Sequence, residues 1–195
     1  MIITFGGMPG SGKSTIAERL ARALGYRRYY MGQIMRDIAK KRGMTMDEFG
    51  KLCEKDPKVD REVDAYQARL GKRYTNLVVE GRTSYYFIPH SVKIFLSVSM
   101  REGARRIMNV LKKRNDRNEI RRVGTLPTLE RSIKRRMVSE RRRYRKWFRI
   151  NPFNKKNYDL YLDTTTLTVD QVYQRVADFL VEKGLVTLRK KGRTA

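Results

Sequence analysis

The stretch Ile2-Ile3-Thr4-Phe5-Gly6-Gly7-Met8-Pro9-Gly10-Ser11-Gly12-Lys13-Ser14-Thr15 decides the fold. Ile2 to Phe5 is a short β-branched and aromatic run, which predicts a strand. Gly7 to Ser14 reads G-x-x-x-x-G-K-S, the phosphate-loop pattern. Behind it Ile16, Ala17, Leu20, Ala21 and Leu24 recur at helical spacing, predicting a helix from about Ser14 to Leu24 that stops at Gly25. Between a strand and a helix, the glycines let the backbone turn and present successive N–H groups to phosphate oxygens. The helix adds the partial positive charge of its N-terminus. In this pattern Lys13 reaches the β- and γ-phosphates and the Ser14 hydroxyl ligates Mg²⁺. The reading is a nucleoside triphosphate site with Mg²⁺. What becomes of the γ-phosphate is not decided by the loop, which motors and switch proteins share.

Outward from the loop, strands and helices alternate. Tyr29 to Met31 ends a short second strand, and Ile34, Met35, Ile38 and Ala39 mark a helix stopped by Gly43. Thr45-x-x-Glu48 is a capping box opening a helix to about Glu54, and another helix follows Pro57 to about Leu70. Leu77 to Val79 and Val92 to Val98 read as strands. Ala104, Ile107, Met108 and Leu111 stripe the next helix, and Asn115 to Pro127 reads as a loop. A long helix then runs from Thr128 to about Phe148, followed by a fifth strand at Tyr158 to Leu162 and a last helix capped by Thr168-x-x-Gln171. This alternation predicts an α/β three-layer domain, α/β/α, with a five-stranded parallel sheet. Ligands in such sheets bind beyond the carboxyl ends of the strands, so the residues after the first and third strands are the first candidates.

The chain has 195 residues, with 45 Lys+Arg against 20 Asp+Glu, a formal net charge of +25. Its mean hydropathy is −0.65. Apolar periodicity along most of the chain excludes disorder for the bulk, and no apolar run reaches the length of a membrane helix. One cysteine, Cys53, excludes an intrachain disulfide, and one histidine, His90, makes a Cys/His metal site untenable. Cys53 reads as a half-buried helix residue and His90 as a surface loop residue.

Three further constellations carry chemistry. Met31-Gly32-Gln33-Ile34-Met35-Arg36 puts Arg36 on the first turns of a helix. Glu80-Gly81-Arg82 ends the third strand. Arg136, Glu140 and Arg143 stand at i, i+4 and i+7, one face of a helix. A carboxylate between two guanidiniums can hold both in fixed directions. Phosphoryl transfer needs such a cationic clamp, because negative charge spreads over the moving group.

With these segments in place the chain resembles the P-loop nucleoside monophosphate kinases, and among them the compact archaeal cytidylate kinases. The matching segments are GMPGSGKST, MGQIMRDIAKKRGM, DEFGKLCEKDPKVDREVD, VVEGR, SERRRY and YDLYLDTTTLTVDQV. The resemblance implies transfer of the ATP γ-phosphoryl group to CMP or dCMP. It implies one kinase domain over 1–184, with monophosphate-binding helices over 31–72, an arginine-rich lid over 112–150 and a basic tail over 185–195. Gly7, Met8, Pro9, Gly10, Ser11, Gly12, Lys13, Ser14 and Thr15 would bind ATP. Ser14 would hold Mg²⁺, with Glu80 acting through water. Arg36 and Arg82 would hold the acceptor phosphate. Arg136 and Arg143 would be lid arginines, and Glu140 would contact the acceptor sugar or the arginines. Asp60, Arg61 and Asp64 would read the pyrimidine. A cytoplasmic monomer is implied, with no membrane association. The chain departs from the resemblance at Met31, where related kinases carry Ser or Thr. It also departs in the long basic segment from Asn109 to Pro127 and in the aromatic run Tyr85-Tyr86-Phe87.

Each of these residues also has a plainer reading. Arg36 would be a solvated cation, Glu80 a strand-end surface residue, and the Arg136–Glu140–Arg143 face an ordinary salt-bridged helix surface. Trp147 and Phe148 would pack the end of the long helix. Residues 101–156 hold 21 Lys+Arg against 5 Asp+Glu, more cations than one ATP and one monophosphate can use. The surplus at Arg141, Arg142, Arg145, Lys146 and Arg149 raises a second reading, a P-loop protein that docks on RNA or the ribosome, with reduced or lost kinase activity.

Overall fold

A computed structural model describes residues 1–113 and 124–186. Five strands form one sheet, β1 (Ile2–Gly7), β2 (Arg27–Tyr30), β3 (Leu77–Glu80), β4 (Val92–Ser97) and β5 (Leu160–Asp163). Their order is β2-β3-β1-β4-β5 and every pairing is parallel, as the alternation predicts. Eight helices accompany it among the described residues: α1 (Lys13–Leu24), α2 (Met31–Lys41), α3 (Met46–Lys55), α4 (Lys58–Arg73), α5 (Ser84–Phe87), α6 (Met100–Lys113), α7 (Leu126–Phe148) and α8 (Val169–Glu182).

β1 is buried along its whole length, and its side chains feed both faces of the sheet in strict alternation. Ile3 and Phe5 join Ile16 and Leu20 of α1 and Val176 and Leu180 of α8 in one core. Ile2 joins Val63 and Leu70 of α4 and Val79 of β3 in the core on the other face. A third cluster packs α6 on α7 through Ile107, Leu111, Leu129 and Ile133, and a fourth packs α2 on α3 through Ala39, Phe49 and Cys53. β1 lies between β3 and β4, so the chain builds to one side of it and then the other. That reversal of strand order opens a crevice at the carboxyl end of β1.

Both sequence-legible capping boxes form. The Glu48 amide donates to Thr45 Oγ1 at 3.3 Å while the Thr45 amide donates to Glu48 at 2.7 Å, and Thr168 and Gln171 do the same at 3.2 and 2.9 Å. Each cap contributes about 1 kcal/mol to its helix.

Several element boundaries differ from the sequence expectation. Met31 is the first residue of α2 rather than the end of β2. The fifth strand starts at Leu160, not Tyr158. Most of the Asn115–Pro127 loop lies outside the described residues, but its end is helical. Thr125 caps α7 and Pro127 sits in its first turn, where the missing N–H of a proline costs nothing. The short α5 and a 3-10 turn at Lys155–Asn157 carry no periodicity long enough to read from sequence. Cys53 is fully rather than half buried, and burial pushes its thiol up to about 11. His90 is exposed, as expected.

Candidate active site

The phosphate loop follows β1 into the crevice. Its shape depends on Gly10 and Gly12, with φ of 78° and 82°, a region that side chains disfavour. At Gly10 a Cβ would also lie 2.2 Å from the carbonyl oxygen of Gly103 on α6. The loop is tied to β4, braced from within, and tied to the residue after β5. The Met8 amide donates to the Leu96 carbonyl at 3.0 Å, and the Lys13 ammonium donates to the Met8 carbonyl at 3.3 Å. The Thr164 hydroxyl donates to the Ser11 carbonyl at 3.1 Å. Arg106 in turn donates to the hydroxyl and carbonyl of Thr164 at 3.2 and 2.8 Å.

At the end of β3, Glu80 is completely buried. One carboxylate oxygen accepts from Arg28 Nε at 2.5 Å, and the other, Oε2, has no partner. Glu80 is therefore not a strand-end surface residue. Two residues on, Arg82 donates through Nε to Glu140 at 2.8 Å and through a terminal nitrogen to the Gly7 carbonyl. A single guanidinium thus links β1 to α7.

Arg36 is buried, 6% exposed, which removes the solvated reading. Its guanidinium lies 4.8 Å from the Tyr30 ring centroid and donates to the Gln33 side chain at 3.2 and 3.0 Å. Gly32 lets that ring approach, since a Cβ there would lie 2.6 Å from a Tyr30 ring carbon.

On α7, Arg136, Glu140 and Arg143 share a face, but Glu140 does not hold the two helix arginines by hydrogen bonds. It accepts from Arg136 at 3.1 Å and from Arg82 at 2.8 Å. Arg143 donates instead to both oxygens of Asp60 on α4, at 2.9 and 2.6 Å. Burial works to raise the Glu140 carboxyl, but Arg82, Arg136 and Arg143 outweigh it and hold the acid at about 2. Burial pushes Asp60 up against the pull of Arg143. It also pushes Asp64 up to about 7, against hydrogen bonds from Thr83 and Gln67. These buried, charge-compensated contacts are not an ordinary helix surface.

One cavity gathers most of the sequence-predicted residues. Pro9, Lys13, Arg36, Asp60, Asp64, Glu80, Arg82, Arg136, Glu140 and Arg143 all line it. Arg61 lies outside it, exposed, with its guanidinium 6.0 Å from the Trp147 ring centroid. Thr15 is exposed on the first turn of α1. Trp147 and Phe148 are partly buried at the end of α7, Phe148 edge-on to Phe87 at 5.3 Å. Sequence reasoning missed Arg28, Gly103, Arg106 and Thr164, which support the site from outside its motifs. Gly103, inside an amphipathic helix, was the one with a readable signal, because a mid-helix glycine often marks a close backbone approach.

The arrangement, a phosphate loop facing four buried or half-buried guanidiniums, is built to hold several phosphates at once. The family model described as the cytidylate kinase-like family matches residues 2–166. The chain is 34% identical over 165 residues to the cytidylate kinase of Methanocella arvoryzae, covering 85% of this chain and 88% of that one. It is 34% identical over 175 residues to that of Pyrococcus furiosus, covering 89% and 84%, and 32% identical over 191 residues to that of Methanospirillum hungatei, covering 97% and 99%. Among solved structures, an uncharacterized protein from Eubacterium ventriosum superposes with a TM-score of 0.67 at 14% identity, over 93% of this chain and 98% of that one. The shikimate kinase of Acinetobacter baumannii superposes with a TM-score of 0.56 at 15% identity, over 95% of each. At those identities the two structures speak for the shared α/β fold alone. A family match over most of the chain and relatives 32–34% identical along nearly its whole length mean that the chain belongs to the cytidylate kinase-like family.

Proposed function

We propose that the protein transfers the γ-phosphoryl group of ATP to CMP or dCMP, giving CDP or dCDP and ADP. The observation that carries this is the cavity itself, which Lys13 lines together with Arg36, Arg82, Arg136 and Arg143. An ATPase or switch needs a phosphate loop, whereas a monophosphate kinase needs a second phosphate held beside the first. Gly7 to Thr15 bind ATP. Arg36 and Arg82 hold the acceptor phosphate. An oxygen of that phosphate attacks the γ-phosphorus as the bond to the ADP oxygen breaks. The acceptor is already an anion, so positioning and charge neutralisation suffice and no strong general base is required. Arg82 is aimed in advance by Gly7 and Glu140, so little reorganisation accompanies the reaction. Arg136 and Arg143 belong to a lid that includes α7 and excludes water on closure. Asp60 and Asp64 read the base, whereas Arg61 is exposed and does not line the cavity.

The residues present fit Mg²⁺. Ser14 stands on the first turn of α1, and Glu80 keeps one buried, unpartnered oxygen on the cavity wall. Ser14 and, through water, Glu80 would hold the ion, which supplies charge neutralisation at the β- and γ-phosphates.

No helix among the described residues is long and apolar enough to cross a membrane, and the proposed setting is the cytoplasm, as a monomer. The exposed cations of α7 are proposed to bind RNA through phosphates, in addition to the kinase reaction. Arg131, Lys134, Arg135, Arg142, Arg145 and Arg149 are all exposed and follow one another at helical spacing as a basic stripe, in which Arg135 and Arg142 also pair with Asp47 and Glu54 of α3.

The deciding experiment is a panel assay of CMP, dCMP, UMP, AMP and GMP with Mg-ATP, reading ADP formation. Turnover highest with CMP or dCMP is the expected result. Preference for a purine monophosphate, or ATP consumption independent of any acceptor, overturns the reading.

A further inference from the structure

Asp64 on α4 is 4% exposed and lines the cavity. Its two oxygens are not equivalent. Oδ1 accepts from Thr83 Oγ1 at 2.6 Å and from Gln67 Nε2 at 2.8 Å. The Gln67 amide is itself oriented by Ser84, whose hydroxyl donates to Oε1 at 2.5 Å. Oδ2 is buried and has no hydrogen-bond partner. A buried polar oxygen without a partner costs about 1–3 kcal/mol, and here it belongs to a residue that lines the ligand cavity. Because two donors already occupy Oδ1, any proton the carboxyl takes up resides on Oδ2. That atom is an acceptor when the acid is ionised and a donor when it is protonated.

The two pyrimidines differ in the same sense. Cytosine presents an amine at its 4-position and uracil a carbonyl. We infer that Asp64 Oδ2 reads this position, accepting from the cytosine amine when ionised and donating to the uracil carbonyl when protonated, so that the enzyme's choice between CMP and UMP turns with pH. The inference rests on the kinase reading above and deepens it.

The surroundings keep both forms within reach near neutrality. Burial raises the acid, the Thr83 hydrogen bond lowers it, Asp60 on the same helix raises it, and Arg143 of α7 and Gln67 lower it. Lys13, Tyr30, Arg36, Glu80, Arg82, Arg136, Glu140 and Tyr144 complete the titratable lining of the cavity. The balance is about 7. Asp64→Asn makes a sharp companion. Thr83 and Gln67 still demand an acceptor at the Oδ1 place, so the amide nitrogen takes the place of Oδ2 and donates at every pH.

The test measures kcat/KM for CMP and for UMP between pH 6 and pH 8. The second ionisation of the acceptor phosphate, near 6, is common to both nucleotides and cancels in the ratio. With a midpoint near neutrality the ionised fraction grows from about one tenth to about nine tenths. The CMP/UMP ratio should therefore rise by at least about tenfold, and in Asp64→Asn it should be flat and favour UMP. Thr83→Val, which removes a donor to Oδ1, should move the midpoint of the parent profile to higher pH. It also serves where Asp64→Asn does not fold, as thermal melting would show. A flat parent ratio, or an Asp64→Asn enzyme with the parent's CMP preference and slope, overturns the assignment while leaving the kinase intact. Turnover of neither nucleotide at any pH overturns both readings.

Discussion

Arg143 places one terminal nitrogen 2.9 and 2.6 Å from the two carboxylate oxygens of Asp60, tying α7 to α4 through a pair whose side chains are only 5% and 2% exposed. Burial of this depth makes the pair far more costly to break than to replace, because a lone buried charge keeps its desolvation penalty. Arg143→Ala should lower the unfolding free energy by about 3–5 kcal/mol. The double variant Arg143→Met with Asp60→Leu should lose less than the single. Urea denaturation of the parent, the single variant and the double variant measures both. A single variant within about 0.5 kcal/mol of the parent would mean that the pair does not anchor α7.

Lys13 donates to a loop carbonyl and is not a member of the hydrophobic core clusters. Lys13→Ala should therefore keep the parent's circular dichroism and melting temperature while phosphoryl transfer falls below about a tenth of the parent rate. Retained turnover would remove the loop from the reaction.

Arg36 is buried beside the cavity with Tyr30 and Gln33 for company, apart from the phosphate loop in sequence. Loss of a charge-assisted phosphate contact is worth about 1.5–3 kcal/mol. Arg36→Ala should raise the KM for CMP by at least about tenfold and change that for ATP little. Equal effects on both substrates would reassign Arg36 to the ATP side.

Stability should respond to pH in two opposite directions. The Glu140 carboxyl is held at about 2, against an ordinary value of 4.5. Its contribution is present above 4.5 and disappears as pH falls toward 2. The Asp64 acid is raised from 3.8 to about 7. Folding there retains a proton that the unfolded chain has released, so its contribution is complete below 3.8 and is lost as pH rises to about 7. From pH 5 to pH 8 the parent should lose on the order of 2 kcal/mol relative to Asp64→Asn. Urea midpoints of both proteins at the two pH values check this, and parallel behaviour would count against a raised Asp64.

The basic stripe on α7 should bind mixed-sequence RNA with little base preference, since phosphate contacts position without specifying. For six contacts at about −0.7 each, log K should fall by about 4 per decade of salt. Reversing Arg131, Arg145 and Arg149 to Glu should abolish binding and leave CMP turnover unchanged, as none of the three lines the cavity. Fluorescence anisotropy at two salt concentrations suffices. No binding near 50 mM salt leaves the stripe as a source of solubility and of lid repulsion.

The signals readable from sequence alone are local ones. Backbone conformation answers to neighbours a few residues away, so the phosphate loop, the two capping boxes and the apolar stripes of α1, α6 and α8 were all legible in order. So was the shared face of Arg136, Glu140 and Arg143, which follows from 3.6 residues per turn. Periodicity places a side chain on a face but says nothing of what packs against that face. The partner of Arg143 is 83 residues away, that of Glu140 is Arg82 at 58 residues, and Glu80 meets Arg28 at 52. Thr164 reaches the phosphate loop across 153 residues. Only the parallel stacking of β2-β3-β1-β4-β5 and the packing of α7 on α3, from which Arg143 reaches α4, bring these groups together. The same packing buries Asp64 and leaves its second oxygen without a partner, because desolvation depends on everything around a group and not on its place in the chain.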